Sequence, residues 1–215
     1  MMPLWAVIFM AAAGILLGLK LLYAASIAGL LPVTRGALFV STGLPRIKEI
    51  LDAVPMKPGH CLIDLGCGDG RVLRAAVRRY GVKALGFEIN PMAYLAARIL
   101  CAGRKGVRVR YGNFWNMDLS GGDVVFCYLF PDLMERLGGK LMAELHEGSR
   151  VVSCNFSLPG WKPICIRRPV SVRHGDPIYI YQIPDSLPSP DATSEPRPRP
   201  ALSQRVLSRS DHGRT

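Results

Sequence analysis

Residues 61–73 read CLIDLGCGDGRVL, and no other stretch restricts the fold of this chain as much. A short apolar run interrupted only by Asp64 has the length of a buried strand, and from Arg71 onward the apolar residues return at helical spacing. Between the two, Gly66, Gly68 and Gly70 let the backbone turn tightly and come close to a ligand with no side chain in the way. Strand, glycine turn and helix together open an α/β unit.

The flanking sequence repeats that alternation. LPRIKEILDAV sets Leu44, Ile47, Leu51 and Val54 on one helical face, with Ser41 or Thr42 as candidate N-cap. The helix after the glycine turn runs from about Gly70 to Tyr80 and stops at Gly81, and ALGFE is a second strand. NPMAYLAARILCAG opens on a capping Asn90 with Pro91 at the first helical position and closes at Gly103. VRVRY, DVVFCY and RVVSCNF are three more strands, Pro131 to His146 is a helix weakened by Gly138 and Gly139, and ICIRRPVSV with PIYIYQI makes a closing pair. The pattern predicts an α/β fold with a doubly wound, mostly parallel seven-stranded, Rossmann-like sheet. Ligands on such sheets bind beyond the carboxyl ends of the strands.

Two kinds of cofactor compete for the first turn. A dinucleotide fingerprint needs G-x-G-x-x-G, but counting from Gly66 and Gly68 its third glycine position is Arg71. The spacing is instead G-x-G-x-G behind Asp64, whose carboxylate suits a ligand ammonium better than a pyrophosphate. Glu88 ends the second strand, where a carboxylate accepts both hydroxyls of a ribose. The ligand implied has an amino-acid end and a nucleoside end, and S-adenosylmethionine fits.

The two ends of the chain differ from this middle. From Leu4 to Leu31 the only charged residue is Lys20, and the run exceeds the roughly 20 apolar residues that cross a bilayer. We read residues 1–31 as a single transmembrane anchor, with Arg35, Arg46 and Lys48 following it, so that the positive-inside rule places the rest on the cytoplasmic face. A cleaved signal peptide, with a small-x-small site after Ala28, fits less well, since a basic leading region is missing and the apolar run is too long. Residues 184–215 are rich in Pro, Ser and Arg and read as a disordered tail, which leaves 32–183 as the folded domain. The net charge of +11 asks for an anionic partner without choosing between a membrane surface and nucleic acid. Six cysteines and four histidines are scattered with no metal-ligand spacing, so the cysteines read as reduced core thiols and no metal is expected.

DLGCGDG and the second-strand Glu88 resemble the first two motifs of class I S-adenosylmethionine-dependent methyltransferases. That resemblance implies that the turn after the third strand, YGNFWNMDL, holds adenine, with Asn113 at the exocyclic amine and Phe114 or Trp115 packed on the ring; ordinary core packing is the alternative for the two aromatics. More narrowly, GDGR, E-x-NP, the DL after the adenine turn and F-x-LPGW-x-P make residues 40 to 183 similar to the membrane-anchored protein-lysine methyltransferases that modify the ATP synthase c subunit and the adenine nucleotide translocase. By that likeness VSTGLPRIKEIL closes over the methionine end, with Thr42 against the cofactor, whereas YLFPD after the fourth strand departs from the family pattern. The expected acceptor is a lysine on a membrane-associated protein, reached through a channel at Tyr128, Phe130 and Pro131, with the bilayer as a second partner and no nucleic acid. A lipid or other small membrane-borne acceptor, and a cofactor-binding assembly protein without turnover, are the alternative readings.

Overall fold

The computed structural model of the chain describes residues 3–34, 43–168 and 176–187. The first helix, α1 (Leu4–Thr34), contains an apolar stretch, Leu4–Ala24, long enough to cross a membrane, and its large side chains from Leu4 to Leu22 are exposed. The elements α2 (Leu44–Ala53), β1 (Cys61–Leu65), α3 (Arg71–Tyr80), β2 (Lys83–Glu88), α4 (Pro91–Leu100) and β3 (Val107–Tyr111) follow. After a 3-10 turn at Phe114–Asn116 come β4 (Val124–Cys127), α5 (Pro131–Glu144), β5 (Arg150–Cys154), β6 (Cys165–Arg167) and β7 (Ile178–Gln182).

The seven strands form one sheet in the order β3-β2-β1-β4-β5-β7-β6. The first five run parallel, with Leu62 opposite both Ala84 of β2 and Val124 of β4, while β7 enters antiparallel between β5 and β6. The order reverses at β1, between β2 and β4, which puts the topological switch point at the glycine turn. β1 and β4 are buried almost throughout, as central parallel strands covered on both faces must be. On one face Ile47, Ile50 and Leu51 of α2 pack with Leu73 and Ala76 of α3 over Leu62, Phe126 and Val152. On the other, Leu137 and Leu141 of α5 pack with Leu119, Leu158 and Trp161 over Ile63, Val125 and Val151.

Several local expectations change. Gly43 occupies the N-cap of α2 with no side-chain cap, while Ser41, Thr42 and the Thr42 contact lie outside the described residues. Gly138 is buried, and a Cβ there would stand 3.1 Å from Nε1 of Trp161, so this glycine in α5 makes room for the tryptophan of LPGW. Trp161 meets the Tyr181 ring edge-on, and the Tyr181 hydroxyl accepts the Leu158 amide at 2.9 Å, so the motif braces the fold. β6 covers only the start of ICIRRPVSV and is exposed, including Cys165, which is therefore not a core thiol. The packed chain also continues past Ile183: Ser186 is fully buried and its hydroxyl accepts the Gln182 amide at 3.0 Å.

Candidate active site

The glycine turn connects β1 to α3 in the conformation its sequence demands. Gly66, Gly68 and Gly70 have φ of 84°, 56° and 74°, values that side chains other than glycine adopt at a cost. At Gly70 a Cβ would also lie 2.7 Å from Sγ of Cys101, so α4 presses directly on the turn. The amides of Gly66 and Cys67 both donate to the Phe87 carbonyl at 2.9 Å, which ties the turn to the end of β2. Asp69 is held by Arg71 at 2.9 Å and by Arg74 at 3.9 Å, and the guanidinium of Arg71 keeps its carboxyl below the ordinary range against the opposing effect of burial.

Glu88 meets this turn from the adjacent strand. Its Oε2 accepts the Gly68 amide and its Oε1 the Asn90 amide, each at 2.8 Å, which fixes the carboxylate against the turn. Asn90 in turn caps α4 through Oδ1, which accepts from the amides of Met92 and Ala93. The Gly112 amide donates to the Glu88 carbonyl at 2.9 Å, so the segment leading into Asn113 starts beside Glu88. Burial, opposed by these amides, holds the Glu88 carboxyl above its ordinary range.

Asp64, near the end of β1, is 2% exposed. Burial first, then the charges of Glu88 and Asp69, push it well above the usual carboxylate range. A buried acid in that position at the mouth of a glycine turn fits a ligand cation. Its counterpart is Arg46 in the first turn of α2, which is 6% exposed and whose two terminal guanidinium nitrogens have no hydrogen-bond partner among the described residues. Arg46 acts by its charge on Tyr128 and by charge and side-chain contact on Cys154, so it lies at the carboxyl ends of β4 and β5. A buried guanidinium in that position fits an anion.

The remaining candidates divide. Asn113 uses its side-chain oxygen to cap the 3-10 turn, accepting the Trp115 amide at 3.1 Å. Phe114 and Trp115 stack at 4.7 Å and are partly buried against the α5 face of the core, and Arg136 lies over Trp115 at 4.2 Å. Beyond β4, Leu129 reaches Gly66, with its Cδ2 3.8 Å from the position a Cβ would take, so the post-β4 segment lies over the glycine turn. Tyr128, next to it, donates its hydroxyl to Oδ2 of Asp176 at 3.3 Å, and burial together with that carboxylate raises the phenol. Phe130 stands at the N-cap of α5 without a side-chain cap, and Pro131 is the first helical residue and exposed, a place where proline's missing N–H costs nothing. Arg46 and Asp176 escaped sequence reasoning because each is a lone charge among many, and only burial or a partner distinguishes it. Gly86 escaped too, although a Cβ there would sit 2.6 Å from Cys67 Sγ, so β2 must carry a glycine where the turn packs on it. Among the described residues no cluster of His, Cys, Asp and Glu has the makings of a metal site.

A mostly parallel sheet in the order 3-2-1-4-5-7-6 with β7 antiparallel, and with an acid, three glycines and a second-strand carboxylate at its switch point, defines a class I S-adenosylmethionine-dependent methyltransferase. The profile of the ANTKMT methyltransferase domain matches residues 64–165. A protein-lysine N-methyltransferase of Saccharolobus islandicus is 33% identical over 153 residues, covering 67% of this chain and 92% of the relative. The adenine nucleotide translocase lysine N-methyltransferase of Mus musculus is 33% identical over 164 residues, covering 74% and 68%. Among solved structures, an RNA methyltransferase from Salinibacter ruber in complex with S-adenosylhomocysteine superposes with a TM-score of 0.63 at 32% identity, covering 69% of this chain and 97% of that one. The chain belongs to the ANTKMT-type methyltransferase family and uses S-adenosylmethionine.

Proposed function

We propose that the chain transfers a methyl group from S-adenosylmethionine to the side-chain amine of a lysine on a membrane-associated protein, working from a bilayer through α1. The observation that carries the acceptor is the likeness to a protein-lysine N-methyltransferase over 92% of that relative's length. The membrane setting draws on the apolar stretch Leu4–Ala24 and on the named targets of two relatives, the mouse enzyme and a lysine N-methyltransferase of the ATP synthase c subunit from Xenopus laevis, of whose length the chain covers 56%.

In this reading Gly66, Gly68 and Gly70 admit the cofactor, Asp64 pairs with its ammonium, Arg46 with its carboxylate and Glu88 with its ribose hydroxyls. Asn113 borders the adenine beside Phe114. The cofactor supplies an electrophilic methyl on a sulfonium, so the protein needs only to align a neutral amine with it and exclude water. In this reading a lysine of pKa about 10.4 sheds its proton in a dry channel next to fixed positive charge, lined by Tyr128, Phe130 and Pro131; the support is that Leu129, within that segment, lies over the glycine turn. The proton leaves to bulk solvent as the amine enters, so no protein base is required.

Native membranes and methyl-labelled cofactor test the channel. Phe130→Ala is expected to lower labelling of membrane protein about tenfold or more while the calorimetric affinity for S-adenosylhomocysteine stays within about twofold. Unchanged labelling overturns the channel. An RNA acceptor is the second reading, favoured by the designation of the Salinibacter relative.

A further inference from the structure

Between residues 89 and 117 the chain carries five cations, Arg98, Arg104, Lys105, Arg108 and Arg110, and not one Asp or Glu. The fold gathers them at one place, the open edge formed by α4 and β3, where they line a single shallow groove. α4 buries only small residues, Ala93 and Ala97, and turns its large ones outward: Leu95 is 51% exposed, Ile99 66% and Leu100 46%. Leu95 and Ile99 are four residues apart and share a face. Arg98 bonds the Tyr94 hydroxyl at 3.0 Å, and the Tyr94 and Tyr111 rings meet at 5.3 Å, so an aromatic pair stands between the aliphatic and basic parts. An exposed aliphatic face rimmed by unopposed cations and interfacial aromatics is the composition of a surface that lies on an anionic bilayer. The helix that carries the apolar stretch, α1, contacts α4.

We propose that the α4–β3 edge docks on the bilayer, with Leu95, Ile99 and Leu100 entering the boundary between headgroups and acyl chains and the five cations binding anionic lipid headgroups. The inference rests on the anchored reading above and adds an orientation to it. α4 starts at Asn90 beside Glu88 and is about 15 Å long, so docking its outer face holds the cofactor end of the sheet within about one helix length of the headgroups. RNA would satisfy the cations but gives three exposed aliphatic side chains nothing to bury against, since bases stack on aromatic rings.

The test uses the full chain carrying Cys165→Ser, which removes the exposed thiol, and Ala102→Cys labelled with a polarity-sensitive fluorophore just past α4. The chain is reconstituted in phosphatidylcholine vesicles with or without phosphatidylglycerol. In the anionic vesicles the probe is expected to shift to the blue and to be quenched by lipid-borne nitroxide roughly fivefold more than in neutral ones, with the gain lost at high salt and in Arg108→Glu/Arg110→Glu. A chain that resists alkaline carbonate extraction while its probe stays in water overturns the docking alone. A chain that carbonate removes, with a probe still in water, overturns the anchor and the docking together. Shielding of the probe by single-stranded RNA and not by vesicles overturns the proposal in favour of a nucleic-acid surface.

Discussion

At Asp64, burial and the neighbouring charges of Glu88 and Asp69 all act in one direction, so the folded chain holds this carboxyl well above its ordinary value of 3.8. An acid raised in the folded state stabilises below its unfolded pKa, and that contribution is lost as the pH rises through the folded value. The cofactor-free chain is therefore expected to lose stability as the pH rises above the ordinary carboxylate range, and Asp64→Asn to flatten that part of the profile in urea titrations. Cofactor affinity runs the opposite way, because the ammonium pairs with the ionised form: it rises with pH over the same range in the natural chain and not in Asp64→Asn. An Asn variant that keeps the pH dependence of binding contradicts the assignment. Arg46 gives the complementary case. Removing a buried guanidinium whose terminal nitrogens find no N or O partner among the described residues relieves a desolvation cost, so Arg46→Met is expected to leave the cofactor-free chain as stable or more stable in urea. The same change weakens S-adenosylmethionine binding about tenfold or more by calorimetry, the loss of one charge-assisted contact. Lower stability with unchanged binding overturns Arg46 as a ligand group.

The contact between β2 and the glycine turn sets the geometry at the scale of elements. Gly86 of β2 lies under Cys67 and Leu73, both buried, and a methyl group there meets sulfur and carbon at 2.6 Å. Gly86→Ala is expected to cost about 1–3 kcal/mol in urea denaturation. It is also expected to weaken the cofactor, since the turn it displaces supplies the Gly68 amide to Glu88. Reduction in stability with full affinity would show that the turn adjusts freely. This is also where sequence legibility changes. The strand and helix alternation, the capping role of Asn90 and Pro91, and the acid and glycine positions of the first turn were all readable, because each is encoded within a few residues by spacing or backbone need. Gly86, Gly138 and Arg46 were not, because what they do depends on Cys67, Trp161 and the ends of β4 and β5, partners distant in sequence. The F-x-LPGW-x-P run is legible as a motif, yet its tryptophan serves the packing of α5 and β7, a distinction that the Gly138 and Tyr181 contacts carry.

For the whole molecule, the sheet order brings the glycine turn and Glu88 to one edge, with the Asn113 turn beside Glu88 and the post-β4 segment over the turn. The apolar α1 precedes that unit, and the basic α4–β3 edge flanks it. Lysine, lipid and RNA acceptors would all use the same cofactor geometry, so in the proposed reading the acceptor is decided by what enters beside Tyr128 and Phe130, not by the turn. The full chain, native membranes and RNA from the same cells are incubated with methyl-labelled S-adenosylmethionine, and the protein is hydrolysed for amino-acid analysis after lipid and RNA have been extracted. The account predicts that the label is recovered as methylated lysine from membrane protein; label confined to extracted lipid or to RNA would contradict it.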